Sequence, residues 1–176
     1  MKRTFVLTLA LLVAPTLVAA QWGVALEAVG LQVTSIADQD SQIDIGTPGH
    51  MARVWFAAGD QLTVETRVGL GYGKQGDSSG STIELLPGVN FHFNDQFYVR
   101  GQAGLWRQGF DNGTTSGSVS QYAFGGALGT RRAIMGGPVS WGVEAGVTRW
   151  LENTDDFIPA ETIFELGLLI DAQIGG

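Results

Sequence analysis

From Leu62 to Tyr72 the chain alternates strictly: Leu62, Val64, Thr66, Val68, Leu70 and Tyr72 fall on one side of an extended backbone, and Thr63, Glu65, Arg67, Gly69 and Gly71 on the other. A period of two separates an apolar set from a polar one only in a β-strand, whose successive side chains point to opposite faces. The pattern recurs with Phe97, Val99, Ala103 and Leu105 against Tyr98, Arg100, Gln102, Gly104 and Trp106, and with Val139, Trp141, Val143, Ala145 and Val147 against Ser140, Gly142, Glu144, Gly146 and Thr148. No window after Ala20 holds apolar residues at helical spacing. The 26 glycines among 176 residues point the same way, because an interior glycine costs a helix about 1 kcal/mol relative to alanine. The expected fold is all-β, with strands at 22–34, 50–58, 62–73, 81–93, 96–108, 121–133, 139–150 and 161–173.

Strands of 9 to 13 residues exceed the five or six usual in globular sheets and match tilted strands that cross a bilayer. The connections alternate. Those at 35–49, 74–80, 109–120 and 151–160 are longer and polar, whereas Gly59-Asp60-Gln61, Asn94-Asp95 and residues 134–138 are tight turns. With an even number of antiparallel strands, this order puts every long loop at one end and every turn at the other.

The first twenty residues read differently. Met1-Lys2-Arg3 is a basic start, Phe5 opens an apolar run that reaches Val18, and Val18-Ala19-Ala20 is a small-residue cleavage site. This predicts a secretory signal peptide over 1–20, the apolar run being short for a membrane anchor. Without these residues and their two bases, 156 residues remain with eight bases and seventeen acids, a formal charge of −9. Such a balance argues against binding nucleic acid. Lys74 is then the one lysine, and with no cysteine an exported domain is held by backbone pairing and packing alone.

This layout resembles the small eight-stranded outer-membrane barrels of diderm bacteria, the class of the OmpA transmembrane domain and of the OmpX and Ail proteins, over the whole chain after Ala20. No subfamily signature is present. The resemblance implies a monomeric up-and-down transmembrane barrel in the bacterial outer membrane, with termini and tight turns in the periplasm and four loops outside. It also implies insertion by the barrel-assembly machinery and contact with outer-membrane lipid and lipopolysaccharide. Barrels of this class end in an aromatic residue that the machinery reads. This chain departs from that by ending Asp171-Ala172-Gln173-Ile174-Gly175-Gly176.

Charge decides which face meets lipid. The polar faces carry Glu27, Arg53, Glu65, Arg67, Glu84, Arg100, Arg131, Glu144, Glu165 and Asp171. Each arginine at the bilayer midplane costs about 2–4 kcal/mol, so these faces are expected to line the lumen, where six acids and four bases pair across the barrel. The apolar faces carry Phe91, Phe93, Phe97 and Trp141 near the turn end and Tyr72, Tyr122, Phe124 and Phe164 near the loop end, two aromatic girdles. A secreted soluble barrel of lipocalin type, apolar inside, is the alternative for the same alternation. An eight-stranded barrel is just wide enough to be filled by side chains, so a filled lumen rather than an open pore is expected.

Candidate chemistry lies at the rims. Lys74, Arg107 and Arg149 continue the outward parity of three strands where these meet long loops, at what reads as one height. Three such cations suit lipopolysaccharide phosphates, which arginine grips bidentately, and equally suit plain snorkelling at the interface. In the loops, Asp38, Asp40 and Asp44, or Asn153, Asp155 and Asp156, supply oxygen ligands of the type calcium takes, without a full calcium-loop pattern; a solvated acidic surface is the simpler reading. His50 with Asp77-Ser78-Ser79 resembles the loop residues of the lipid A palmitoyltransferase barrel, but the amphipathic helix of that family is absent. The His-x-Ser-Asn pattern of the lipid A deacylase barrel is not matched at His92-Phe93-Asn94, and His92 reads as a lumen hydrogen-bonding residue. Gly71-Tyr72-Gly73-Lys74-Gln75-Gly76 spells a dinucleotide fingerprint without the helix it requires. Asn112-Gly113-Thr114 spells a glycosylation triplet without force in a bacterial envelope. No cofactor or transition-metal site is expected. The expected role is non-enzymatic, either envelope structure or adhesion through the loops, with a lipid A-modifying enzyme as the rival.

Overall fold

Alternation becomes architecture through backbone pairing alone, since each strand leaves its N–H and C=O groups to be satisfied by a neighbour. In the computed structural model, which describes residues 21–36, 41–46 and 52–175, the strands are β1 (Trp22–Ile36), β2 (Gln42–Gly46), β3 (Ala52–Gly59), β4 (Leu62–Gln75), β5 (Ser78–His92), β6 (Phe97–Asp111), β7 (Ser116–Thr130), β8 (Arg132–Ala133), β9 (Val139–Trp150) and β10 (Glu161–Gly175). Eight of them make a ring in the order β1-β3-β4-β5-β6-β7-β9-β10, closed by pairing of β10 with β1. All ring neighbours are antiparallel. The short β2 pairs with the upper part of β1 (Gly30 to Thr34), and β8 carries the register of β7 onward along β9. Closure removes the exposed sheet edges that a lipid environment does not tolerate.

The ring is staggered. A row of ladder partners that starts at Gly23 passes through Trp55, Glu65, Gly88, Gln102, Gly125, Thr148 and Ile163 and returns to β1 at Thr34, eleven residues further along. One of these is taken up by the irregularity between Glu27 and Val29. Stagger of this kind is what tilts strands in a closed barrel.

Each of the eight expected segments contributes a strand to the ring, although residues 50–51 lie outside the described residues and the expected strand 121–133 breaks at Arg131 into β7 and β8; the larger differences gather at the loop end. There β4 and β5 run on until only Gly76 and Asp77 separate them, and β6 and β7 until only residues 112–115 do. The expected connection at 35–49 contains β2. The expectations at 74–80 and 109–120 are thus corrected to short hairpin turns, while 151–160 joins β9 to β10 as expected: the glycines, serines and threonines of the two shortened stretches read as loop, yet register pairs such as Gly73↔Gly80 and Phe110↔Gly117 carry the ladders past the apolar belt. The expected signal peptide lies outside the described residues.

Burial is inverted relative to a soluble domain. Arg53, Arg67 and Arg100 are 1%, 1% and 2% exposed, while Leu70, Leu128 and Tyr72 are 64%, 64% and 75% exposed. Both expected aromatic girdles face outward. The lipocalin alternative, apolar inside and polar outside, fails on this observation. Glycine on the inner face makes room for the large polar groups. A Cβ at Gly129 would run into the Tyr98 ring, and one at Gly167 into the Glu27 carboxylate.

Candidate functional site

The inward positions of the eight strands build the lumen in layers. At the turn end, Arg131 of the segment between β7 and β8 pairs with Asp171 of β10, donates from Nε to Ser140 Oγ at 3.3 Å, and lies 4.2 Å above the Trp55 ring of β3. His92 and Thr63 are in hydrogen-bond contact beside them, at 3.0 Å. Arg131, Ser140, Trp55, His92 and Thr63 line the floor of a cavity of about 660 Å³ that opens at the turn end. Beneath that floor the free space contracts to a void of about 20 Å³ lined by Arg53, Glu65, Tyr98 and Asp171 among others.

Above it lies an ionic belt. The two terminal nitrogens of Arg53 donate to the two carboxylate oxygens of Glu144 on β9, both at 2.9 Å, and the same guanidinium reaches Glu65 at 3.4 Å and Glu27 at 3.6 Å. Arg100 of β6 spans Glu65 at 2.9 Å and Glu144 at 2.8 Å. Tyr98 donates its hydroxyl to Glu144 at 2.7 Å, and Asn90 its amide to Glu65 at 3.1 Å. Higher again, Arg67 grips Glu165 with two hydrogen bonds of 3.0 and 3.2 Å, and Gln32 donates to Glu165 at 3.3 Å. The lumen is then capped toward the loop end by Leu86, Ala123 and Trp150, with Trp106 and Ile163 packed against them. Buried carboxylates and guanidinium groups persist only when paired with good geometry, and the bidentate contacts supply it.

Of the ten lumen charges read from the sequence, nine therefore enter ion pairs. Glu84 faces the lumen half-buried and makes no ion pair among the described residues. Sequence reasoning missed uncharged participants, among them Asn90, Trp55, Gln32, Ser140, Thr63 and the hydroxyl of Tyr98. Inward parity was the available signal. Trp55 and Arg53 lie two apart on β3, and Asn90 is six residues from Glu84 on β5.

The rim cations are less regular. Lys74 and Arg107 are exposed and Arg149 is half-buried, on the outward faces of β4, β6 and β9. The ladder row through Lys74 meets β6 at Asp111, four residues above Arg107. The row through Arg107 meets β7 at Ser120, four residues above Phe124, the partner of Arg149. A stagger of eleven residues over eight strands accounts for fewer than three of each four, so the cations descend as a staircase rather than standing at one height. Arg107 donates to Ser118 Oγ at 3.0 Å and Arg149 to Thr162 Oγ1, both on adjacent strands.

In the fourth loop, Asn153 organises the backbone. Its side-chain oxygen accepts from the amides of Asp155 and Asp156 at 3.1 and 3.3 Å, and its amide donates to Ser120 O at 2.6 Å and to Asp156 Oδ2 at 2.9 Å. The Asp156 carboxylate is thus engaged in holding the loop to β7. Asp44 lies exposed on β2 and accepts from Gln42 at 3.3 Å. Among the described residues no three potential ligands converge on a metal position. Asp38, Asp40 and His50 lie outside the described residues, while Ser78 sits at the tip of the β4–β5 hairpin opposite Gln75.

A closed, tilted ring of eight antiparallel strands with a lipid-compatible exterior and an ion-paired interior defines the class: a small transmembrane β-barrel. No family model matches the chain, and no curated protein does. Solved structures do. Neisserial surface protein A aligns with a TM-score of 0.55 at 13% identity over 88% of this chain and 97% of its own. Ail, the attachment invasion locus protein of Yersinia pestis, aligns in a phospholipid bilayer nanodisc with a TM-score of 0.51 at 13% identity, over 88% of this chain and 99% of its own. The crystal structure of Ail in complex with the heparin analogue sucrose octasulfate aligns with a TM-score of 0.50 at 11% identity, over 87% and 99%. These neighbours are bacterial outer-membrane β-barrels, and the fold described above is theirs.

Proposed function

We propose that the protein is a non-enzymatic barrel of the bacterial outer membrane, acting in envelope structure or surface adhesion through its extracellular end, with a lumen that is filled rather than open. The ionic belt carries this reading. Arg53, Arg67 and Arg100, each almost wholly buried, join carboxylates of β1, β4, β9 and β10 across the barrel, and the apolar cap lies above them. Adhesion is supported by the likeness to Ail, a protein described as an attachment locus product and crystallised with a sulfated sugar. In this reading residues 1–20 direct export and are removed, the barrel-assembly machinery inserts the chain, and the barrel works as a monomer. The outward cations Lys74, Arg107 and Arg149 contact lipopolysaccharide phosphates, where arginine's planar fork is well matched.

Planar-bilayer recording tests the filled lumen. The expected trace shows no large, stable conductance step, and a reproducible one overturns the reading. Replacing Lys74, Arg107 and Arg149 together with glutamine is expected to lower lipopolysaccharide co-purification; unchanged co-purification removes the rim from the proposal. Hydrolysis or acyl transfer on lipid A by the purified barrel, lost on substituting His50, would instead favour the enzymatic rival.

A further inference from the structure

One of the lumen arginines is not sealed in. The side chains of Arg53, Arg67 and Arg100 are 2%, 1% and 1% exposed, whereas that of Arg131 is 26% exposed, at the floor of the turn-end cavity. Its Nη2 meets Asp171 and its Nε donates to Ser140 Oγ. Its Nη1 has no partner among the described residues and, unlike the Nε atoms of Arg53, Arg67 and Arg100, is not shut away from solvent. Arg53 and Arg100 each serve two carboxylates or more. A guanidinium carries five N–H donors in a fixed fork, so Arg131 keeps the capacity to take a second carboxylate beside Asp171.

The mouth of the same cavity has the opposite sign. Asp60, in the turn between β3 and β4, and Asp95, in the turn between β5 and β6, line it, both exposed and both without an ion pair among the described residues. They stay unpaired although the backbone holds Arg131 nearby: its N–H donates to Gln96 O at 2.8 Å, one residue from Asp95. The cavity is thus polarised along its depth, with a guanidinium below and two carboxylates above. Between them the walls carry small residues, Ala57, Ala133 and Gly137 among them, and the volume of about 660 Å³ is that of a small-molecule site. An anion alone must pass the two carboxylates to reach the floor, and a cation alone gains at the mouth but not below. A ligand with one charge of each sign at its two ends gains at both.

We propose that the turn-end cavity binds short peptides of small residues end-on, with the α-carboxylate bonded to Arg131 Nη1 at the floor and the α-ammonium beside Asp60 and Asp95 at the mouth. The floor is built to hold its cation still, since Asp171, Ser140 and the Trp55 ring fix the guanidinium from three sides. A positioned guanidinium gives a carboxylate a charge-assisted bond without first ordering a free side chain. The site needs the barrel and a turn end that faces water, and it is independent of what the extracellular end binds.

Isothermal titration calorimetry of the full chain refolded in detergent micelles tests the site with alanine tripeptide, its C-terminal amide and its N-acetyl form. The tripeptide is expected to bind saturably, and the amide about tenfold or more weaker through loss of the charge-assisted bond to Arg131. Asp60→Asn with Asp95→Asn is expected to weaken the tripeptide while strengthening the N-acetyl form, an anion freed from two like charges at the mouth. Arg131→Gln is expected to bind tripeptide and amide alike; should that variant not fold, the two probes compared on wild-type protein decide the same point. No saturable binding, or equal affinity of wild-type protein for the tripeptide and either derivative, overturns the proposal. So does displacement of the tripeptide by an equal concentration of acetate, which would make the floor a site for any carboxylate. Heat-modifiable gel migration, run on every variant, reports the barrel itself: a wild-type chain that shows none sinks the transmembrane reading, whereas normal migration without tripeptide binding sinks only this site.

Discussion

Arg53 of β3 and Glu144 of β9 meet across the lumen through two parallel hydrogen bonds of 2.9 Å, from strands that are not neighbours in the ring. Breaking such a pair from one side leaves a buried charge without its partner, which costs about 3–5 kcal/mol. Glu144→Ala is therefore expected to destabilise the barrel by that amount in urea unfolding from phospholipid vesicles. The double replacement Arg53→Met with Glu144→Leu is expected to cost less than the two single replacements summed, and simple additivity of the two would contradict the pairing.

Leu128 lies on the outward face of β7, 64% exposed. Leu128→Arg puts a guanidinium into the hydrocarbon region at about 2–4 kcal/mol near the midplane. Lowered stability in vesicles of long-chain lipid, with a smaller effect in short-chain lipid, is the expected result. An unchanged midpoint in both would mean that this face does not meet acyl chains.

Gly129 of β7 sits directly beneath the Tyr98 ring, so any added Cβ collides with it. Overpacking of this kind typically costs about 1–3 kcal/mol. Gly129→Ala should show that loss in denaturant unfolding, and Tyr98→Ala in the same chain should make the alanine at 129 nearly neutral. Simple additivity of the two changes would deny the contact.

Asn153 holds the fourth loop through four side-chain hydrogen bonds, one of them to Ser120 of β7. Asn153→Ala should release the loop without disturbing the barrel, since loops open locally at far lower free energy than a closed sheet. Limited proteolysis of intact cells is expected to cut the variant faster within residues 151–160, while urea unfolding stays within about 0.5 kcal/mol of wild type, the range of ordinary surface changes. Equal cutting rates would show that the hydrogen bonds do not restrain the loop.

Much of the fold was legible because the period of two is a local property. Leu62 to Tyr72 declares its two faces without reference to any other strand, and the arginines on the inner set decide which face is wet. The upper parts of β4 to β7 were not legible. Gly109 and Ser116 to Ser120 have no alternation to show, and they are strand because Gly109 pairs with Ser118 and Asp111 with Ser116. The lumen network was legible as a list of charges but not as a set of partners, since partner choice depends on the stagger of the ring. That stagger also turns Lys74, Arg107 and Arg149, alike by parity, into a staircase.

What the amino-acid order determined by itself is the number of strands in the ring, the side each of their residues takes and hence a barrel with its charges inside: side-chain direction follows from backbone geometry one residue at a time. What only the tertiary structure decided is height and partnership. Those depend on how far each strand slides along the next, a sum around the whole ring that no single segment contains. So Arg53 makes its bidentate pair with Glu144 and reaches Glu65 and Glu27 at longer distance, while Glu84 is left without an ion pair among the described residues.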